Sequence, residues 1–326
     1  MEPVIGANPF LPQPIIGAIT GADSGVTGTA MDGMGRYIYI SGYTGIQLTQ
    51  SGYTGIQQNQ ISLFQLNTST GAITEGPLRS NTTASQLVVE TTDPAGNYLY
   101  AWNYSTNQDL ETSVYNQGLG ISVYKIDATT GALAEIPGSP FPVAAEASNW
   151  PEALEFMGMQ FVMSPSGNSA YGVVLDFTNS VSNNGNSISE IFAFSVDPTS
   201  GIVTKLASYP ISPNPLRPAA MVIHPNGKFL YISQSSGPNA PDGIVILAVD
   251  PATGAINPTP VSFVADTYCC SLLMNPSGSV LLDQYDNLGW HSFKVDGSTG
   301  LLTSANTVDS SYWFDYGGSA TVVAIS

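Results

Sequence analysis

Short apolar runs separated by turn-forming residues follow one another along the chain. Runs such as FLYIS at 229–233 and VILAVD at 245–250 are rich in β-branched and aromatic residues and are bounded by Gly, Pro, Asn or Asp. Such runs are typical of β-strands. Only PEALEFMG at 151–158 suggests a helical period. The pattern therefore predicts an all-β protein.

Two turn motifs recur in a fixed order. The first joins a strand A to a strand B, as in IHPNGKFLYIS at 223–233, and the second follows strand C, as in VDPATGAI at 249–256. In the second motif we expect Asp250 to accept a bond from the backbone N–H two residues on, with Thr253 acting in the same way. Gly254 would supply the positive φ of a bulged hairpin, so turn geometry accounts for the motif. Counterparts of this motif lie at 66–73, 126–133, 196–203 and 295–302.

Each pair of turns marks one unit of four strands, A to D. Four-stranded antiparallel units repeated in series predict the blades of a β-propeller. We expect a single domain over 1–326, with five complete blades near 25–78, 83–143, 158–211, 218–263 and 269–308.

Both ends of the chain look like pieces of a further blade, at 6–15 and 318–326. Three explanations remain open. The ends close a small sixth blade within one chain, a terminal strand completes a blade of the next subunit in a ring or filament, or the chain is cut short. The residues that would make a contact between subunits are Pro9, Phe10, Leu11, Thr321, Val322, Val323 and Ile325.

The first blade contains a duplicated segment, SGYTGIQLTQ followed by SGYTGIQQNQ at 41–60. The duplication predicts a longer hairpin between strands B and C that exposes Tyr43 and Tyr53. This uncharged hairpin is a second candidate contact surface, and a tolerated loop duplication is the alternative.

The charge balance restricts the partners. Seven Lys and Arg against 24 Asp and Glu give a net charge of −17, and only 10% of residues are charged. Binding to nucleic acid needs clustered cations, so neither nucleic acid nor an anionic membrane is an expected partner. No apolar stretch is long enough for a membrane span. The composition is typical of a secreted or surface protein, so we expect an extracellular mature chain without its signal peptide, although a cytoplasmic start is the alternative.

The first turn motif followed by AVDPATGAI resembles the lactonase-type seven-bladed propellers, which are related to 6-phosphogluconolactonase and the YVTN-repeat surface proteins. The resemblance covers about residues 25–308 and implies a lactone hydrolase whose strands A line a central channel. The family commonly brings Arg and His to the channel mouth, where this chain has Ala219 and Ala220. The positions expected to line the channel are Thr27, Val88, Gln160, Ala220, Cys270 and Ser271.

Few side chains in these strands could act on a substrate. Glu90 is the one carboxylate on a strand A, and it is the candidate acid or cation ligand. His224 stands in a turn, where we expect it to cap the backbone. His291 is expected on strand C, away from the channel.

The two cysteines, Cys269 and Cys270, are adjacent. They form a strained vicinal disulfide, remain free thiols or bond to another chain, and the sequence leaves these alternatives open. No spacing of His or Cys is typical of a metal site, so we expect no cofactor. Two further segments have candidate roles: the acidic loop at 283–287 for calcium and the aromatic cluster at 310–318 for a carbohydrate.

Three functions compete on this evidence. The absence of the expected Arg and His favours a non-catalytic extracellular scaffold that binds itself, another surface protein or a glycan. The alternatives are a lactonase-type hydrolase that acts on a sugar lactone in the central channel and a carbohydrate-binding module.

Overall fold

The computed structural model describes residues 25–44, 48–49, 52–53, 58–76, 79–80, 86–109, 114–144, 156–176, 188–210, 217–235, 242–266, 270–285 and 289–309. Every regular element among them is a β-strand, and no helix there is long and apolar enough to span a membrane. The chain divides into two compact units, Met1–Asn107 with Gly120–Pro140, and Gln108–Leu119 with Phe141–Ser326. The prediction of a single domain over 1–326 stays a prediction.

Blade 1 and most of blade 2 lie in the first unit. The antiparallel sheet of blade 1 has the order β1 (Gly25–Met31), β2 (Tyr37–Thr44), β5 (Gln58–Leu66) and β6 (Ile73–Glu75), and β7 (Arg79–Ser80) also pairs with β5. A small ladder joins β3 (Leu48–Thr49) to β4 (Gly52–Tyr53). Blade 2 has the order β8 (Gln86–Thr92), β9 (Tyr98–Asp109), β10 (Val114–Ile126) and β11 (Leu133–Glu135).

Strand β12 (Phe141–Ala144) pairs with β10 and extends the sheet of blade 2. Three further blades lie in the second unit. Each is a sheet of four strands in chain order. Blade 3 comprises β13 (Phe156–Met163), β14 (Ser169–Asp176), β15 (Ile188–Val196) and β16 (Val203–Pro210). Blade 4 comprises β17 (Arg217–Ile223), β18 (Phe229–Ser235), β19 (Gly243–Ala248) and β20 (Ser262–Ala265). Blade 5 comprises β21 (Cys270–Met274), β22 (Val280–Tyr285), β23 (Gly289–Val295) and β24 (Leu302–Asp309). The predicted all-β fold of four-stranded antiparallel blades is confirmed.

The turn between strands C and D has the predicted geometry. In blade 4 the N–H of Ala252 donates to Asp250 Oδ1 at 2.9 Å, and the N–H of Ala255 donates to Thr253 Oγ1 at 3.3 Å. Gly254 has φ 73°. The motif therefore recurs because each side chain satisfies a backbone donor of the hairpin that it closes.

The turn between strands A and B is held by a polar side chain at its first position. In blade 1, Asp32 Oδ1 accepts the N–H of Tyr37 at 2.8 Å, and in blade 5, Asn275 Oδ1 accepts the N–H of Val280 at 2.9 Å. Different residues can fill this position because each one presents an acceptor to the same backbone group.

Neighbouring blades of one unit pack through apolar faces and through their turns. Between blades 4 and 5 the buried residues include Tyr231, Ile246 and Phe293. The Tyr231 hydroxyl donates to the carbonyl of Gly300 at 3.0 Å, which attaches strand B of blade 4 to the C–D turn of blade 5. In the first unit the Tyr39 hydroxyl makes the same bond to Gly131 at 2.9 Å.

Two local expectations are corrected. Residues 156–158 lie in β13, so the apparent helical period there is wrong, because the segment pairs along its length with β14. In blade 4 the main part of strand D begins only at Ser262 rather than directly after the turn glycine. Pro258 and Pro260 occupy the intervening stretch, and proline lacks the N–H that a ladder requires.

The duplicated segment forms a paired structure in its described part. Strands β2 and β5 pair as far as Thr44 and Gln58, and Leu48 pairs with Tyr53. The longer hairpin and its use as a contact surface stay predictions, because residues 45–47 and 54–57 lie outside the described part of the chain.

Candidate functional site

The strands A contain the positions predicted to line a channel. Ala220 is buried, Val88 is half-buried and Ser271 is exposed. The side chain of Gln160 accepts a hydrogen bond from the N–H of Met221 in the adjacent blade, so its carbonyl oxygen joins blades 3 and 4. Thr27 and Cys270 belong to β1 and β21, as expected of strand A residues.

Glu90 interrupts the ladder of strand A in blade 2. The register with β9 shifts between Val89 and Thr91, which places Glu90 in a bulge, and its side chain is half-buried. Bulges occur often beside active sites because they redirect a side chain. Strand A has a similar register shift in blades 1, 3 and 4, so the bulge does not single out Glu90, and its role as an acid or cation ligand stays a prediction.

Several predicted roles depend on residues or side chains that the structure does not describe. The backbones of Tyr43 and Tyr53 lie in β2 and β4 but their side chains are not described, and Cys269 lies in the undescribed stretch before β21. The roles of these three residues stay predictions. The same holds for the terminal candidates Pro9, Phe10, Leu11, Thr321, Val322, Val323 and Ile325.

His224 caps its turn, as expected. Its Nδ1 lies 3.0 Å from the N–H of Asn226, and its Nε2 lies 3.0 Å from the carbonyl oxygen of Gly278 in blade 5. An N–H can only donate and a carbonyl can only accept, so a neutral ring with its hydrogen on Nε2 satisfies both contacts. This histidine is a structural residue between two A–B turns.

The other histidine, His291, joins an aspartate and a serine in one hydrogen-bonded chain. Its Nδ1 lies 2.8 Å from Asp266 Oδ2, and its Nε2 lies 2.8 Å from the hydroxyl of Ser304. The side chains of Asp266 and His291 are 3% and 13% exposed, whereas Ser304 is exposed. We call these three residues the serine chain.

Two blades hold the serine chain in place. Asp266 directly follows β20, and its N–H donates to the carbonyl of Asp242 at 3.1 Å, so its backbone is attached to blade 4. His291 belongs to β23 of blade 5, and its ring lies 4.1 Å from the ring of Phe293. Ser304 in β24 lies opposite Phe293, and the register of the two strands shifts at this point.

Blade 3 contains the same arrangement of strands with other side chains. The register of β15 and β16 shifts between Ala193 and Phe194, as it does between Ser292 and Phe293 in blade 5. Phe192 there occupies the place of His291, and Lys205 occupies the place of Ser304. Lys205 Nζ lies 3.8 Å from the centre of the Phe192 ring and donates to the carbonyl of Val143 at 3.2 Å. The fold thus brings three segments together in both blades, and blade 5 has Asp, His and Ser there.

The serine chain has the geometry of a nucleophile with its base. The aspartate carboxylate accepts the hydrogen on Nδ1, which leaves the lone pair of Nε2 directed at the serine hydroxyl. A serine activated by such a histidine attacks acyl carbons, and a buried carboxylate orients the imidazole and stabilises its cation. The chemistry that the arrangement favours is acyl transfer.

Among the described residues, no group of three or more His, Cys, Asp or Glu side chains could hold a metal ion.

The sequence pattern predicts His291 on strand C, where β23 contains it, but it predicts no role for Ser304 or Asp266. The position of Ser304 could have been predicted, because the C–D turn determines the register of β23 and β24 and so places Ser304 opposite Phe293. Asp266 comes from the preceding blade, and its approach depends on how two blades pack.

Comparison with known families and structures identifies the fold. The family described as a seven-bladed β-propeller lactonase matches residues 181–312, which is less than half of the chain but includes the whole serine chain. No curated protein matches the sequence. The chain is therefore similar to the lactonase propellers over this region.

Solved structures support the same fold over most of the chain. A candidate 6-phosphogluconolactonase from Bacteroides fragilis NCTC 9343 is 15% identical with a TM-score of 0.51, and the match covers 87% of this chain and 85% of that one. A second, from Bacteroides uniformis ATCC 8492, is 15% identical with a TM-score of 0.50, over 87% and 86%. A protein of unknown function from Desulfotomaculum acetoxidans DSM 771 is 12% identical with a TM-score of 0.53, over 86% and 69%. At these identities the likeness shows the fold, a lactonase-like β-propeller, and not the activity.

Proposed function

We propose that this protein is a lactonase-type hydrolase that opens a cyclic ester, with Ser304 as its nucleophile. The observation that carries the proposal is the continuous hydrogen-bonded chain from Asp266 through His291 to the exposed hydroxyl of Ser304. The similarity to lactonase propellers over residues 181–312 supports a cyclic ester as the substrate class.

The first half of the reaction forms an ester on the protein. Ser304 Oγ attacks the carbonyl carbon of the lactone, and its proton passes to Nε2 of His291. The bond between the carbonyl carbon and the ring oxygen then breaks, and the ring oxygen takes the proton from Nε2. The product of this half is an acyl ester of Ser304 with a free hydroxyl at the far end.

The second half releases the hydroxy acid. A water molecule gives a proton to Nε2 of His291 and attacks the acyl carbon. The bond to Ser304 Oγ breaks, and Oγ recovers the proton. Asp266 keeps its hydrogen bond to Nδ1 throughout and stabilises the imidazolium that forms in each half.

Kinetics on variants test this assignment. Hydrolysis of γ- and δ-lactones is followed by acid release in a pH-stat, with the uncatalysed rate subtracted. Ser304→Ala and His291→Gln are each expected to lower kcat at least about 100-fold, since nucleophile and base act as a unit. Asp266→Asn is expected to lower kcat at least about tenfold, because the amide no longer holds the imidazole in the required tautomer.

The matched control is Ser292→Ala. Ser292 neighbours His291 in β23, and its hydroxyl donates to the carbonyl of Asn306 at 3.1 Å, so the variant removes a serine hydroxyl without touching the serine chain. Ser292→Ala is expected to keep full activity. All variants are expected to keep the thermal midpoint of the wild-type protein. The proposal would be overturned if Ser304→Ala and His291→Gln kept activity within threefold of wild type while Glu90→Gln lost activity. That result would show that catalysis belongs to strand A of blade 2.

A further inference from the structure

The charges around the serine chain are acidic. Asp266 contacts His291 directly, and Asp283 lies opposite His291 in the neighbouring strand β22 and is 0% exposed. Residues directly opposite in an antiparallel pair are within about 5.5 Å at Cβ. Two carboxyl groups therefore flank the histidine from two blades.

Cations are scarce in this part of the chain. Residues 217–309, which form the two blades that hold the serine chain, contain three Lys or Arg: Arg217, Lys228 and Lys294. Arg217 lies in the first strand of blade 4 and Lys228 follows its A–B turn, whereas Asp266 follows the fourth strand. Lys294 lies in β23 opposite Thr303, and alternation along the strand places it on the face opposite to that of His291 and Phe293. Recognition of a phosphate or carboxylate needs Arg, Lys or free backbone donors. The described residues on the face that bears His291 include no Lys or Arg.

The core beneath the nucleophile is apolar. Phe293 lies opposite Ser304, and its ring packs on His291. Val264 from blade 4 and Leu302 from blade 5 are partly buried and pack against the same core as Phe293. These core residues carry no charge that could bind an anionic group.

We infer that the substrate is an uncharged lactone and that phosphorylated lactones are excluded from this site. The inference rests on the proposed function and names its substrate class. The ring-opened product carries a new carboxylate, so the same acidic surroundings favour its release. The two candidate 6-phosphogluconolactonases share the fold with this chain, but the charge at this site differs from what a phosphate needs.

A matched pair of substrates tests the inference. Gluconolactone and the same lactone with a 6-phosphate differ only in the charged group. In wild-type protein, kcat/KM is expected to be at least about tenfold higher for the unphosphorylated lactone, since like charges repel across the site. Added salt is expected to narrow the difference, because it screens that repulsion.

Adjacent positions in β24 provide a charge variant and its control. Thr307 lies opposite His291 and Asn306 lies opposite Ser292, so the two side chains occupy opposite faces, and both residues are exposed. Thr307→Lys is expected to raise kcat/KM for the phosphorylated lactone at least about tenfold relative to Asn306→Lys, which adds the same charge on the other face.

The kinetics of His291→Gln distinguish a failure of the substrate-class inference from a failure of the proposed function. Wild-type protein could hydrolyse the phosphorylated lactone with a kcat/KM equal to or higher than that for gluconolactone, and His291→Gln could abolish this hydrolysis. That result would overturn the substrate class and leave the serine chain as the catalyst. Hydrolysis that persists in His291→Gln, or no hydrolysis of either lactone, would overturn the proposed function and the inference with it.

Discussion

Gly300 shows how one residue meets two requirements at once. Its φ of 77° belongs to the left-handed region, and a Cβ at this position would lie 2.6 Å from the ring of Phe229 in the neighbouring blade. The sequence predicts the first requirement, because the turn motif demands a positive φ. The second becomes visible only in the packed blades.

Substitution of Gly300 separates the two requirements. Gly300→Ala is expected to lower the free energy of unfolding by about 2–4 kcal/mol, from left-handed strain and overpacking against Phe229. Gly35→Ala is the matched control, because Gly35 has φ 68° and the nearest atom to its added Cβ is Met31 Sδ at 3.9 Å. Urea unfolding of both variants measures the difference, and an equal loss in both would show that the contact between blades contributes nothing.

Tyrosine hydroxyls in strand B make a second contact between blades that the sequence did not reveal. Burial raises the pKa of Tyr231, whose hydroxyl donates to the Gly300 carbonyl. Burial also raises the pKa of Tyr171 to about 12. Both tyrosines stand among apolar residues in runs that predict a buried strand. The pattern therefore does not indicate what the tyrosine hydroxyl groups contact.

The C–D turn is the element that the sequence predicted best. Its residues interact within a few positions of one another, so local chemistry determines its shape. Hydrogen bonds from neighbouring backbone and hydroxyl groups hold the pKa values of three turn carboxyls below their usual range, those of Asp127, Asp197 and Asp250. Bonds from Ser298 and Thr299 lower the pKa of Asp296 to about 2.

These lowered pKa values predict that the free energy of unfolding decreases in acid. A carboxyl whose pKa is lower in the folded chain than in the unfolded chain stabilises the fold above about pH 4, and this contribution is lost as the pH falls from about 4 to 2. Asn67 fills the same position in blade 1 and accepts the N–H of Ser69 at 3.0 Å without titrating. Asp296→Asn is therefore expected to keep its turn and to flatten the fall in stability over this range.

Urea unfolding at pH 5, 3 and 2 measures this effect. Asn67→Asp is the complementary variant, because it adds a titrating carboxyl to a turn of the same shape and is expected to steepen the fall. Identical pH profiles for wild type, Asp296→Asn and Asn67→Asp would contradict the assignment of acid sensitivity to the turns.

At the scale of the whole molecule, the repeats predicted the blades but not the site. Five blades could be located from two turn motifs, because each motif marks a hairpin of its own blade. The serine chain combines Asp266 of blade 4 with His291 and Ser304 of blade 5, and no local pattern specifies how the end of one blade meets the strands of the next. The serine chain lies in strands C and D and at the end of the preceding blade, whereas the family resemblance implies functional residues in strands A.

The expectation of a non-catalytic scaffold rests on Ala219 and Ala220 in strand A of blade 4, where the family resemblance implies Arg and His. The similarity to lactonases over residues 181–312 and the serine chain now favour the hydrolytic alternative. Self-assembly through the chain ends stays a prediction because residues 6–15 and 318–326 lie outside the described part of the chain. An extracellular location stays a prediction because it rests on composition alone.

Covalent labelling of the nucleophile tests the central claim most directly. A fluorophosphonate reacts with a serine hydroxyl that an adjacent histidine activates, and mass spectrometry of the intact protein and its peptides locates the adduct. The account predicts one adduct, on Ser304, that is lost in His291→Gln and retained in Ser292→Ala. A protein that hydrolyses lactones without labelling at Ser304, or that labels equally without His291, would contradict it.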